Sequence, residues 1–128
     1  MHFAEHGVFE VKVDGSNLFV DATGPFNEEL ATSYGLAIET CITQLEGKPW
    51  NQIIVLHNQS LFTPPAERVL ISTLKDRKSR GLVKSAVVLV NCEGRSLITQ
   101  QMTHVYEVSA IEFCFFDDIE SAKDWLAQ

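Results

Sequence analysis

The sequence is poor in the features that announce chemistry. It has 3 cysteines in 128 residues, Cys41, Cys92 and Cys114, an odd number at wide spacing. There is no Cys-x-x-Cys pair. That argues against a disulfide framework or a cysteine zinc site and points to a reducing compartment. Each cysteine has apolar neighbours, so each is expected to be a shielded, reduced thiol. Basic residues are few, 10 Lys and Arg against 17 Asp and Glu, giving a formal charge of −7. Such a chain repels phosphates, so nucleic acid is not an expected partner. No apolar run approaches the roughly 20 residues that span a bilayer, so no transmembrane segment is expected. The opening "MHFAEHGVFEVKV" lacks a basic stretch followed by an apolar one, and a cytoplasmic protein is expected. "NQS" at 58–60 matches the glycosylation acceptor pattern and, without a secretion signal, is read as chance. Phosphate-binding glycine motifs are missing, as is the Gly-x-Ser-x-Gly elbow. His2, His6 and His104 make no pair at zinc spacing on a common helix. The expectation is therefore no metal, no cofactor and no enzymatic activity.

What is present reads as a single α/β domain over residues 1–128. "VFEVKV", 8–13, alternates with the period of a half-buried strand. "DGSN" is a turn signal, and "LFVDATG", 18–24, returns as the second strand of a hairpin. A helix follows, with Asn27 as N-cap, Glu28 and Glu29 in its first turn, and Gly47 to end it. Its apolar face is read as Phe26, Leu30, Leu36, Ile38, Ile42 and Leu45. Gly35 inside it is expected to allow close packing on the sheet. "QIIVLH", 52–57, and "KSAVVLVN", 84–91, are short apolar runs of the kind covered on both faces. Between them runs a helix from Pro64 to Arg80, capped by Thr63, with Pro64 where a missing N–H does no harm. Ala66, Val69, Leu70 and Leu74 form its buried stripe. The basic run "KDRKSRG", 75–81, complements the dipole at that helix's end. A weaker helix over 95–108, capped by Ser96, carries Leu97, Ile98, Met102 and Val105 on one face. "IEFCFF", 111–116, is the last strand, and a helix capped by Asp117 or Asp118 closes the chain, with Ile119, Ala122, Trp125 and Leu126 as its apolar face. The order is ββαβαβαβα. It implies a mixed sheet, an N-terminal hairpin then parallel strands, with helices packed on it.

The hairpin "VKVDGSNLFVDATGPF", the element order and the closing "FFDDIESAKDWL" resemble the SpoIIAA-like group. This is the STAS-like fold of sulfate-transporter tails and anti-sigma-factor antagonists, and the resemblance covers nearly the whole chain. It implies a non-enzymatic regulatory or protein-interaction domain. The anti-sigma-antagonist branch carries a phosphorylated serine at the strand–helix junction, normally preceded by Asp. Here "NQS" stands, with Ser60 the nearest match by position and Thr63 the second.

That junction, "IIVLHNQSLFTPPAERVL", is where a functional guess concentrates. Ligands of open α/β sheets meet the carboxyl ends of parallel strands beside helix starts. His57, Asn58, Gln59, Ser60 and Thr63 offer donors and acceptors there around Leu61 and Phe62. The bland alternatives are a strand-end His57, a loop hydroxyl at Ser60, a plain cap at Thr63, and Phe62 folded back as a hydrophobic staple. A catalytic base at His57 would need a nucleophile or substrate in reach. The leading expectation is a protein partner docking over 57–63. The alternative is a small apolar or anionic, lipid-like ligand held between the second helix and the sheet. Self-association as a homodimer is left open.

Overall fold

Residues 8–128 are described by the computed structural model. His2 and His6, two of the three histidines whose spacing argues against a zinc pair, lie outside them. The chain runs β1 (Val8–Asp14), β2 (Asn17–Thr23), α1 (Glu28–Leu45), β3 (Trp50–His57), α2 (Pro64–Ser79), β4 (Leu82–Val90), α3 (Arg95–Ser109), β5 (Glu112–Phe116) and α4 (Ile119–Leu126). The 5 strands lie in sequential order, β1 antiparallel to β2 and the rest parallel. This is the single α/β domain with a mixed sheet that the sequence implies.

Local chemistry sets the ends of these elements. Gly15, at φ +64°, turns the hairpin with Asp14 opposite Asn17. The Asn27 side chain accepts from Leu30 N–H, Thr63 from Ala66 N–H and Asp118 from Ser121 N–H, so each helix start satisfies one free donor. The α3 start departs from expectation. Its N-cap is Gly94 in the left-handed region with no side-chain cap bond, and Ser96 lies inside the helix.

Strand alternation divides the core into two layers. On one face Leu18, Val20, Ile54, Leu56, Val87 and Leu89 meet α1, α2 and α3. On the other, Ile53, Val55, Ala86 and Val88 meet Ala122 and Leu126 of α4. β3 and β4 are therefore covered on both sides, as their continuous apolar runs require.

Several expected core positions are not core. Leu36 is 75% exposed, because it sits two residues from Ile38 and so points about 200° away from it on the helix. Leu97 and Ile119 are exposed for the same kind of reason, each adjacent to the helix face that packs. Phe113 and Phe115 are only half-buried, since β5 is an edge strand with a single neighbour. All 3 cysteines are free but half-buried rather than sealed in the core. Gly35 faces Thr73 of α2, not the sheet.

Candidate functional site

The 57–63 junction is knitted more tightly than its polar sequence suggests. Ser60 is 0% exposed. Its hydroxyl accepts from Gly24 N–H at 3.1 Å and donates to the His57 carbonyl at 2.6 Å. A Cβ on Gly24 would lie 2.6 Å from the Ser60 Cα, so only glycine lets the two chains approach this closely. Ser60 is thus a loop hydroxyl tied to local backbone and, through Gly24, to the hairpin end, and a modifying enzyme could reach it only by opening the junction. Phe26 N–H donates to the Leu61 carbonyl, and Thr63 N–H to the Phe26 carbonyl, forming a short parallel bridge. Phe62 does not staple onto its own helix, whose facing residue is Glu67. Its ring packs on Phe26, with centroids 4.7 Å apart. The Gln101 amide clamps the Phe62 backbone, accepting from its N–H and donating to its carbonyl.

The His57 ring lies on the α4 side of the sheet, with Nε2 3.1 Å from the Asp21 carboxylate. Ser60 bonds the His57 backbone, not its ring, so the two do not form a base–nucleophile pair. Gln59 Nε2 donates to Glu93 at 2.8 Å. Only Asn58, Gln59 and Thr63 are exposed in this stretch, while His57, Leu61 and Phe62 are half-buried.

On its inner side the junction opens on a cavity of about 40 Å³ between α1, α2 and the sheet. Water needs some 10–15 Å³ of such space, so the void equals about three waters. The walls are mostly apolar: Val20, Ile54 and Leu56 from the sheet, Leu70 and Leu74 from α2, Met102 from α3. Half-buried Phe9, Leu30, Tyr34 and Phe62 line it toward solvent. A small cleft thus lies between the second helix and the sheet.

Into this apolar space projects one charge. Arg77 is 1% exposed. Nη1 donates to Gln52 Oε1 at 3.0 Å, and the guanidinium carbon lies 5.0 Å from the centre of the Tyr34 ring. Nε and Nη2 have no hydrogen-bond partner among the described residues. Gln52 Nε2 donates to Ser85 Oγ at 2.9 Å, and Ser85 is 2.7 Å from Tyr106 Oη. Tyr106 is fully buried, and burial pushes its phenol up to about 12, leaving it neutral at physiological pH. A buried cation with no carboxylate partner among the described residues costs stability.

None of Arg77, Gln52, Ser85 and Tyr106 was singled out from the sequence. One signal for Arg77 was there: it follows Ala66, Leu70 and Leu74 by 11, 7 and 3 residues, which is the buried stripe of α2. Two other members of that basic run are used structurally. Arg80 pairs with Glu39, Glu46 and Asp76, and its guanidinium holds the Glu46 carboxyl below the usual carboxylate range. Lys78 donates to the Ala110 carbonyl.

Among the described residues no cluster of three or more His, Cys, Asp or Glu side chains could hold a metal ion, and no helix is long and apolar enough to cross a membrane. In comparisons with known proteins the chain matches no family model and no curated protein at a significant level.

Proposed function

We propose that the protein is a non-enzymatic binder of a small, largely apolar ligand, held in the cavity between α2 and the sheet. The observation that carries this reading is Arg77, a buried guanidinium with an unpartnered edge lining an otherwise apolar cavity. Apolar walls with a few convergent polar groups are how ligand pockets are commonly built. A regulatory role in the cytoplasm, of the STAS-like kind, is part of the same proposal. The element order and the closing strand–helix unit support it, and three free thiols suit a reducing setting. Docking of a protein partner over 57–63 is the second reading. Exposed Asn58 and Gln59 at the tip of the junction favour it, whereas the internal bonds of Ser60 and Phe62 leave less of the junction free for it.

The test is a thermal-shift screen with small amphipathic molecules, since a ligand of the native state alone raises the melting temperature. Ala31→Leu, which places bulk on the α1 wall of the cavity, should stay folded and lose any shift seen with wild type. A shift that survives the filled cavity would place binding elsewhere and defeat the proposal.

A further inference from the structure

The hydrogen-bond polarity of the cavity points to the head group of its ligand. The inference rests on the cavity being the binding site, and it narrows that reading to one chemical class.

Arg77 carries only donors. Its Nη1–H bond to Gln52 Oε1 uses the single acceptor of that amide and turns the Gln52 NH2 toward Ser85 Oγ. Ser85 and Tyr106 are joined by one hydrogen bond, which consumes one of their two hydroxyl protons. One hydroxyl proton is therefore left over, whichever of the two donates. Arg77 Nε–H and the Nη2 protons are left over as well. Gln52, Ser85 and Arg77 are each at most 1% exposed, so bulk water does not reach them. Among the described residues no Asp or Glu lines the cavity, and the one charged side chain lining it is positive, in a chain whose net charge is −7. The site thus holds a surplus of buried donors and lacks an anion.

We infer that the cavity takes a small monocarboxylate, its two oxygens seated on the Nε–Nη2 edge of Arg77 and its apolar body against Phe26, Phe62, Leu70 and Met102. Nε–H and one Nη2–H lie on the same edge of the guanidinium as two parallel donors. A planar carboxylate matches that fork with two bonds, whereas a neutral carbonyl or alcohol leaves the cation uncompensated. A phosphate monoester fits poorly. It brings up to two charges to a single cation, and its additional oxygens would face apolar walls. The cavity volume of about 40 Å³ holds about three waters, so anything beyond the head group must reach out between half-buried Phe9, Leu30 and Phe62, which favours a short acid over a long fatty acid. Tyr106, kept neutral, is within the same network and can turn its hydroxyl proton toward the carboxylate.

The experiment compares three probes of one shape: hexanoate, 1-hexanol and hexylamine. Each is titrated into wild-type protein at pH 7 by isothermal calorimetry. Hexanoate should bind at least about ten-fold tighter than hexanol, the ratio expected for a charge-assisted pair in a desolvated site, and hexylamine should bind weakest. Arg77→Met should bind both hexanoate and hexanol with a ratio near one. Arg77→Lys keeps the charge without the fork and should weaken hexanoate by about ten-fold relative to wild type. It also keeps the test alive if the methionine variant fails to fold. Equal affinity for hexanol and hexanoate would overturn the carboxylate assignment while leaving the cavity as a site. No binding of either would remove the cavity reading itself, and the assignment with it. A hexanoate preference that persists in Arg77→Met would show the carboxylate to be read elsewhere, which also overturns it.

Discussion

Arg77→Met exchanges the buried guanidinium for an apolar chain of similar reach, and its effect on stability separates a functional charge from a structural strut. The change removes the bond from Nη1 to Gln52, about 1.5–3 kcal/mol for a charge-assisted hydrogen bond. It also removes the contact with the Tyr34 ring, about 2 kcal/mol when desolvated. Against these losses stands the desolvation of a guanidinium that is 1% exposed and has no carboxylate bonded to it among the described residues, a penalty of several kcal/mol. The methionine also leaves the Gln52 carbonyl unpaired, which a second variant, Arg77→Met with Gln52→Leu, removes. The net expectation for the pair lies between no change and about 2 kcal/mol of added stability. The assay is urea unfolding at pH 7, followed by far-ultraviolet circular dichroism without added ligand. The midpoint should hold or rise with the slope unchanged. A loss of about 3 kcal/mol or more in both variants would refute the reasoning, because that is the signature of breaking a buried, satisfied ion contact.

Other outcomes follow from the same geometry. Val87→Asp places a carboxylate at a position 0% exposed and should unfold the domain, read as loss of the cooperative thermal transition. Ser60→Ala strands Gly24 N–H inside the junction and should cost about 1–3 kcal/mol in urea unfolding, while a free surface hydroxyl would cost almost nothing. Tyr106 gives a pH signature. Its folded pKa of about 12 lies above the ordinary 10.0, so its contribution is fully present below pH 10 and is lost as pH rises through 12. Over that window this residue should remove about 2–3 kcal/mol of stability, and Tyr106→Phe should lack that share of the decline. Burial likewise pushes the Cys92 thiol up, so it should be slow to react with a disulfide reagent at pH 8 and react fast once unfolded.

The architecture was legible because it rests on local patterns. The runs Ile53–Leu56 and Ala86–Leu89 could only be strands covered twice, and Asn27, Thr63 and Asp118 mark helix starts by their side chains alone. The proposed site is legible only in outline, as the alternative to the 57–63 junction, a cleft between the second helix and the sheet. Arg77 was hidden by its charge, which reads as a surface residue beside Lys75, Lys78 and Arg80, although its spacing from Leu70 and Leu74 places it inward. Ser60 is legible as a loop hydroxyl bonded to local backbone, but its second partner and the partner of Phe62 are not. Those partners, Gly24 and Phe26, are 36 residues away in sequence, and no local rule reports so distant a contact. The Gln52–Ser85–Tyr106 chain likewise joins two adjacent strands and a helix, and it exists only once the register of β3 against β4 is set.

The central claim is that the space under α2 is where this protein binds. Its most direct test is a nuclear magnetic resonance titration with hexanoate, following the Arg77 Nε–H signal and the methyl groups of Leu70, Leu74 and Met102, which line that space. Saturable shifts are expected at these four positions, with little change at exposed Asn58 and Gln59. Shifts confined to Asn58 and Gln59, or none at Arg77 up to millimolar hexanoate, would contradict it.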